Sequence, residues 1–149
     1  MQADIAVLDS NGRAVLLVEA KAKTGTSRRW AAEFRRNLAA HGLLPSASYF
    51  ILATPDHVYL WKGPPNVAEA VEPDYDIDAQ AVFASYFEKL ELGPNEAKGR
   101  SFELLVAGWL SDLQRVDTER AGPQKNGWLV ESGLLRALQG GKVVVDTSI

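Results

Sequence analysis

The chain opens with two short runs of strand-forming residues that flank a turn signal. Ile5 and Val7 precede Asn11-Gly12, and residues Val15 to Val18 follow it. Asn-Gly between two apolar runs is the strongest short signal for a β-hairpin with a two-residue loop. The pattern therefore predicts that the chain begins with a pair of antiparallel strands.

A two-residue loop fixes which positions face each other across this hairpin. Leu8 then faces Val15, and Asp4 faces Glu19, with both carboxylates on one side of the sheet. Lys21 lies two residues beyond Glu19, so its side chain points to the same side. The opposite side receives only apolar residues, namely Ile5, Val7, Leu16 and Val18. We therefore expect two carboxylates and one ammonium group at one end of an otherwise apolar hairpin.

A helix is predicted next, because capping and stop signals enclose an apolar stripe. Thr26 or Ser27 can cap its start, and Gly42 stops it after about His41. The stripe consists of Trp30, Phe34 and Leu38, at the spacing of one helical face. We interpret these three residues as core contacts and not as a platform for stacked bases.

The remaining pattern predicts two more strands, three more helices and a last strand. In chain order these are strands at Tyr49–Ala53 and His57–Trp61, helices from Asp78 to about Leu90, from Asn95 to about Arg115 and from Val130 to Leu138, and a strand at Val143–Val145. Residues 64–75 are predicted to form a polar connection. The order predicts one α/β or α+β domain over residues 1–149, with a mixed-sheet core in 1–62 and a mostly helical part in 63–149.

Composition narrows the class of protein. The 149 residues include no cysteine, which excludes disulfides and thiolate metal sites and is typical of a reducing cytosol. We expect a cytoplasmic protein without a membrane span, because no apolar run approaches the roughly 18 residues that a span needs. The net charge of −3 is unlike that of a general nucleic-acid coat protein. Charge is nevertheless segregated, since Arg13 to Arg36 holds seven basic residues against two acidic ones.

The facing carboxylates of Asp4 and Glu19 require compensation, because like charges directly opposite each other destabilise a sheet. Lys21 supplies part of it, and a divalent cation supplies more. Two carboxylate oxygens, the Ala20 carbonyl and water molecules suit the octahedral shell of Mg²⁺, or of Mn²⁺ in its place. Such a metal polarises a phosphate, and Lys21 can then orient or deprotonate the attacking water or stabilise the phosphate charge. The pattern thus predicts Asp4, Glu19 and Lys21 as catalytic residues.

These residues also carry a resemblance to a known group of enzymes. Asp4 followed by Glu19-Ala20-Lys21 resembles the D…(D/E)-x-K core of the PD-(D/E)XK nuclease superfamily. The stretches VLLVEAKAK and WAAEFRRNL are similar to that superfamily's strand and following helix, and YFILATPDHVYLW is similar to a strand pair in N-terminal nuclease domains of type I restriction subunits. The resemblance covers about residues 3–62. It implies a restriction-endonuclease-like fold, a Mg²⁺ or Mn²⁺ cofactor and hydrolysis of DNA phosphodiester bonds.

The chain departs from this superfamily at two places. Several relatives carry a supporting Gln on the helix, and Glu33 or Arg36 is the best match to that neighbourhood here. The superfamily also usually has a helix and a strand before the Asp, and the helix often supplies another carboxylate. A later part of the chain can fill that place, which makes Glu96 and Glu103 candidates; a shortened start or a degenerate domain are the alternatives.

The basic residues beside the motif allow two interpretations. Charged residues on a helix most often form a solvated face, but beside a metal site they can contact DNA phosphates. On the second interpretation the nucleic-acid-binding residues are Lys23, Arg28, Arg29, Arg35 and Arg36.

Three hypotheses for function remain open from the sequence. The first is a metal-dependent nuclease acting on DNA. The second is a catalytically inactive module of the same fold that binds nucleic acid or a protein partner in a restriction or defence system. The third is an unrelated α/β domain in which the triplet is fortuitous. A homodimer through the C-terminal helices is also predicted, because the second half holds more aromatic residues than one small core needs.

Overall fold

The computed structural model describes residues 3–42, 46–65, 68–91, 99–115 and 127–145. A six-stranded mixed sheet and five helices are present in these residues, so the fold class is α+β. In chain order the elements are β1 Ile5–Leu8, β2 Ala14–Ala20, α1 Arg28–Ala40, β3 Tyr49–Ala53, β4 His57–Lys62, β5 Tyr75–Asp78, α2 Ala79–Lys89, α3 Gly99–Leu113, α4 Gly127–Glu131, α5 Leu134–Leu138 and β6 Lys142–Val145.

The sheet has the strand order β5-β4-β3-β2-β1-β6. Strands β2 and β3 are parallel, and α1 connects them, as parallel neighbours require. Every other neighbouring pair is antiparallel. Helices dominate the described residues after 62, but β5 and β6 from this part join the sheet at its two edges.

The hairpin loop differs from the predicted two-residue turn. The Asp9 amide donates to the Arg13 carbonyl at 2.8 Å, which leaves Ser10, Asn11 and Gly12 as a three-residue loop. The Asp9 carboxylate accepts from the amides of Asn11 and Arg13 at 2.8 and 2.9 Å. Gly12 has φ +79°, the left-handed conformation that closes three-residue hairpin loops.

A β-bulge restores the register that the longer loop displaces. Leu8 faces Ala14 instead of the predicted Val15, but the register shifts between Val7 and Leu8, and Ile5 then faces Val18. The bulge absorbs the extra loop residue, because one strand gains a position that the other lacks. Asp4 and Glu19, the next positions along, therefore face each other as predicted.

The two faces of the sheet are covered by different helices. One face packs with α2 to α5 and includes Ile5, Val7, Leu16 and Val18, as predicted. The other face packs with α1 and includes Ala6, Leu17, Leu52, Tyr59 and Trp61. By alternation along the strands, Asp4 and Glu19 project on the α1 side.

The helix caps and apolar helix faces agree with the sequence-based predictions more closely than the connections do. The Ser27 hydroxyl accepts from the Trp30 amide and caps α1, and the Asp78 carboxylate accepts from the Gln80 amide and caps α2. The predicted connection over residues 64–75 extends one residue too far, because Tyr75 begins β5. The predicted last helix is two short helices, since Gly133 at φ +83° interrupts it. The predicted start of α3 at Asn95 lies outside the described residues.

The aromatic residues of the second half fill the core of a single chain. Phe83, Phe87, Phe102, Trp109 and Trp128 are all buried in the cluster beneath the sheet. Phe83 meets the rings of Phe102 and Trp109 edge to face, with centroids 6.0 and 5.4 Å apart. These contacts remove the reason for predicting a homodimer.

Candidate functional site

The ends of β1 and β2 bring the two predicted metal-binding carboxylates together. Asp4 immediately precedes β1, and its Oδ2 accepts a hydrogen bond from the Ala20 amide at 2.9 Å. Glu19 is only 5% exposed and shares a side-chain hydrogen bond with Asp4. The site is therefore fixed by the β1–β2 ladder on one side and by a backbone donor on the other.

The environment of Glu19 disfavours its charged form. Burial is the largest cause, followed by the charge of Asp4 and the hydrogen bond to it, while Lys21 acts in the opposite direction. Together they raise the pKa of Glu19 from 4.5 to about 8. Such a carboxyl group is neutral at pH 7 unless additional positive charge is brought to it.

A third carboxylate, on the other side of the sheet, has a smaller electrostatic effect on Glu19. Glu103 lies on α3, which packs against β2 and β6, and its charge also raises the pKa of Glu19. The Glu103 side chain is 23% exposed and forms an ion pair with Arg100 at 3.6 Å. The role of Glu103 as an additional acidic residue of the site stays a prediction, and Glu96 lies outside the described residues.

Lys21 continues the line of β2 and reaches toward α1. Its amide donates to the Ala53 carbonyl at 2.9 Å, which extends the β2–β3 pairing by one position. Its Nζ lies 5.7 Å from the centroid of the Phe34 ring. Phe34, which the sequence pattern assigned to the core, is therefore the α1 residue that contacts the predicted catalytic lysine.

The donor set fits a divalent cation in type but is small. Asp4 and Glu19 can supply carboxylate oxygens, and Ala20 can supply a backbone carbonyl, which are the oxygen ligands that Mg²⁺ and Mn²⁺ prefer. Burial, followed by the charge of Asp4, raises the pKa of Glu19, so a cation bound here would favour the ionised form of Glu19. Among the described residues, no group of three or more His, Asp or Glu side chains is arranged to hold a metal. The remaining ligands would therefore be water or substrate oxygens.

The predicted supporting residue Glu33 is not part of this site. Its carboxylate is exposed and lies 3.4 Å from Nε of Arg29, one helical turn away. Arg36, the alternative, donates to the Asn37 side chain at 3.3 Å. No described contact links either residue to Asp4 or Glu19, and Phe34 lies on the helix where such support was expected.

Arg35 is not on the exposed basic face of α1, and its prediction as a phosphate contact is wrong. The residue is only 5% exposed. Its guanidinium lies 5.6 and 5.2 Å from the ring centroids of Phe50 and Trp61, and Nη2 donates to the Gly63 carbonyl at 2.9 Å. Burial lowers its pKa to about 10. Arg35 therefore joins α1 to β3 and β4.

We expect Arg35→Ala to destabilise the protein by about 2–4 kcal/mol, because it opens a cavity between two rings and removes the donor to Gly63. The matched control is Arg29→Ala, whose side chain is 89% exposed and should change the free energy of unfolding by less than about 1 kcal/mol. Urea unfolding measures both. Equal losses in the two variants would contradict this role of Arg35.

The other predicted phosphate contacts remain on the surface beside the site. Arg28 is held by Glu72, with Nε and Oε1 2.9 Å apart, and by the Pro73 carbonyl at 3.0 Å. Lys23 is exposed, and its Nζ lies 5.2 Å from the Trp30 ring centroid. Arg29 extends into solvent. Arg29 also pairs with an acidic residue, Glu33, but its side chain is 89% exposed against 47% for Arg28, so Lys23 and Arg29 are more accessible to a ligand than Arg28.

The structure also contains a His–Asp pair that the sequence pattern did not indicate. His57 Nδ1 lies 2.7 Å from Asp76 Oδ1, and the imidazole stacks on Tyr59 with centroids 4.9 Å apart. The Tyr59 hydroxyl lies 2.8 Å from Thr26 Oγ1, which ties the segment before α1 to β4. Asp76 belongs to β5, a strand that the sequence pattern did not predict. Its position beside His57 could therefore not be predicted either.

No protein-family model, no curated protein and no solved structure matches this chain. Within the described residues, no helix has the length and apolar character needed to cross a membrane.

Proposed function

We propose that this chain is a metal-dependent nuclease that hydrolyses DNA phosphodiester bonds, built on a core of the PD-(D/E)XK type. The observation that carries the proposal is the facing of Asp4 and Glu19 at one end of the sheet, with Lys21 two positions beyond Glu19, immediately after β2. A buried carboxyl group beside a partly buried one is unfavourable for stability when both are ionised. Their presence is explained if they bind a cation.

Strand order supports the same proposal. β6 pairs antiparallel with β1, and α3 packs against β6 and β2. An upstream strand joined to β1 by a hairpin would occupy the place of β6, since sequential strands usually pair. β6 and α3, which come later in the chain than β1, thus occupy this place, and α3 carries Glu103.

Each residue then has a distinct role. Asp4, Glu19 and the Ala20 carbonyl would hold the divalent cation, which would offset the negative charge that develops on the phosphate in the transition state. Lys21 orients or deprotonates the attacking water, or stabilises the negative charge that develops on the phosphate. Lys23 and Arg29 bind neighbouring phosphates without reading sequence.

A catalytically inactive module of the same fold is the second candidate. It is favoured by the small donor set, since the described residues do not form a three-carboxylate metal group. In that case Glu19 keeps its proton and the hydrogen bond to Asp4 is structural. Such a module would bind nucleic acid or a protein partner through the basic surface of residues 13–36.

Incubation of supercoiled plasmid and single-stranded DNA with Mn²⁺ or Mg²⁺ separates the two. The nuclease proposal predicts nicking that EDTA abolishes and that Glu19→Ala loses. Glu88→Ala removes an exposed carboxylate of α2 and should cleave like the wild type. If wild type and Glu19→Ala leave DNA equally intact, or degrade it equally, the nuclease proposal fails.

A further inference from the structure

Two adjacent aromatic rings lie beside the proposed catalytic end of the sheet, on the first turns of α1. The centroids of Trp30 and Phe34 are 5.4 Å apart, with an angle of 35° between the ring planes. Both residues are only half buried, unlike Ala31 and Ala32, which carry the fully buried contacts of this helix. Trp30 and Phe34 pack against the apolar cluster on this face of the sheet, as the sequence pattern predicted, and keep part of their surface exposed.

Each of these rings is paired with an ammonium group from the segment that follows β2. Lys23 Nζ lies 5.2 Å from the Trp30 centroid, and Lys21 Nζ lies 5.7 Å from the Phe34 centroid. Arg29, the neighbour of Trp30, is 89% exposed at its side chain. The ammonium groups of Lys21 and Lys23, together with the exposed Arg29, therefore place positive charge beside the two rings.

We propose that Trp30 and Phe34 form a stacking platform for a base of single-stranded nucleic acid, with Lys23 and Arg29 on the flanking phosphates. Aromatic faces with cations beside them match the two parts of a nucleotide, a flat base and an anionic phosphate. A base in an intact duplex has both faces covered by its neighbours, so only an unpaired or frayed strand can use the platform. The inference rests on the proposed function and narrows its substrate to single strands or strand ends.

Stacking has a signature that charge alone lacks, because it requires the base. In EDTA, which stops metal-dependent cleavage, we titrate a labelled oligothymidylate and an abasic oligomer of equal length and charge. The wild type should bind the base-bearing oligomer about ten-fold more tightly. Trp30→Ala should lower its affinity to that of the abasic oligomer, while Trp30→Phe keeps most of the preference.

Two matched variants separate stacking from charge and from helix stability. Lys23→Gln should lower the affinity for both oligomers by the same factor and reduce the salt dependence of binding, since it removes one phosphate contact. Leu38→Ala alters the third residue of the stripe and should leave the preference for the base-bearing oligomer unchanged. Thermal unfolding checks that each variant is folded.

Intrinsic fluorescence gives an independent reading. Of the four tryptophans, Trp61, Trp109 and Trp128 are buried at 1%, 4% and 7% exposure, so Trp30 is the accessible one. Oligothymidylate should quench the wild type and the Phe34→Ala variant to different extents, and should not quench Trp30→Phe.

Two results would overturn the platform: equal affinity of the wild type for base-bearing and abasic oligomers, including no binding of either, or an unchanged preference in Trp30→Ala. The plasmid assay keeps this outcome apart from that of the nuclease proposal. Metal-dependent cleavage with base-independent binding removes the platform alone, and base-dependent binding without cleavage removes the enzyme alone.

Discussion

Lys21→Ala should reduce metal-dependent DNA cleavage by at least about 100-fold. The residue lies at the end of β2, two positions beyond Glu19, and its backbone is held by the Ala53 carbonyl. A general acid–base group or a positive charge aimed at a reacting phosphate contributes on the order of 10²–10⁴ in rate. The variant loses the ammonium contact with the Phe34 ring and the charge near Glu19, but it keeps the backbone bond to Ala53, so the fold should persist.

The control for this variant is Lys142→Ala. Lys142 is exposed and faces Leu8 at the other end of the sheet, so it removes the same charge away from the site. Both proteins are purified identically and assayed on plasmid over time. Equal residual cleavage by wild type and Lys21→Ala would mean that the activity comes from a contaminant or from another site.

The second large effect concerns stability and not rate. Glu19→Gln should stabilise the metal-free protein by about 2–4 kcal/mol at pH 8, because the amide keeps the shape of the neutral acid and cannot ionise. The folded-state pKa is raised to about 8, above the ordinary value near 4.5. Folding therefore favours the protonated acid, and the stability that it confers is complete below about pH 4.5 and is lost as the pH rises through 8.

The measurement is urea unfolding in EDTA at several pH values between 4.5 and 8. The difference between Glu19→Gln and wild type should be smallest at the acid end and grow steadily toward pH 8. Glu88→Gln, on the exposed side of α2, should show no such trend. A difference that stays constant with pH would mean that Glu19 ionises normally in the folded protein.

The sequence predicted the site's two strands better than it predicted their loop. Alternation and the Asn11-Gly12 signal placed Asp4 opposite Glu19, although the loop holds three residues. The pairing of Asp4 with Glu19 is preserved by the bulge between Val7 and Leu8, which no local sequence pattern indicates. The correct prediction thus depended on two deviations that offset each other.

Other features depend on contacts between distant segments and could not be read locally. Helical spacing places Arg35 with the other basic residues, but its burial is decided by the rings of Phe50 and Trp61 on two later strands. Strand β5 is short and follows a proline-bearing stretch, and it exists by pairing with β4. The apolar stripe that includes Trp30 and Phe34 does not indicate its lysine partners. Lysines such as Lys21 and Lys23, a few residues before a helix N-cap, are nevertheless a local signal for contacts of this kind.

Binding of Mn²⁺, followed by electron paramagnetic resonance, tests the central claim most directly. Wild type and the Asp4→Ala, Glu19→Ala and Glu88→Ala variants are titrated at the same pH. The account predicts binding by the wild type and by Glu88→Ala, and its loss in both Asp4→Ala and Glu19→Ala. Absence of binding by the wild type, or equal binding by all four proteins, would contradict it.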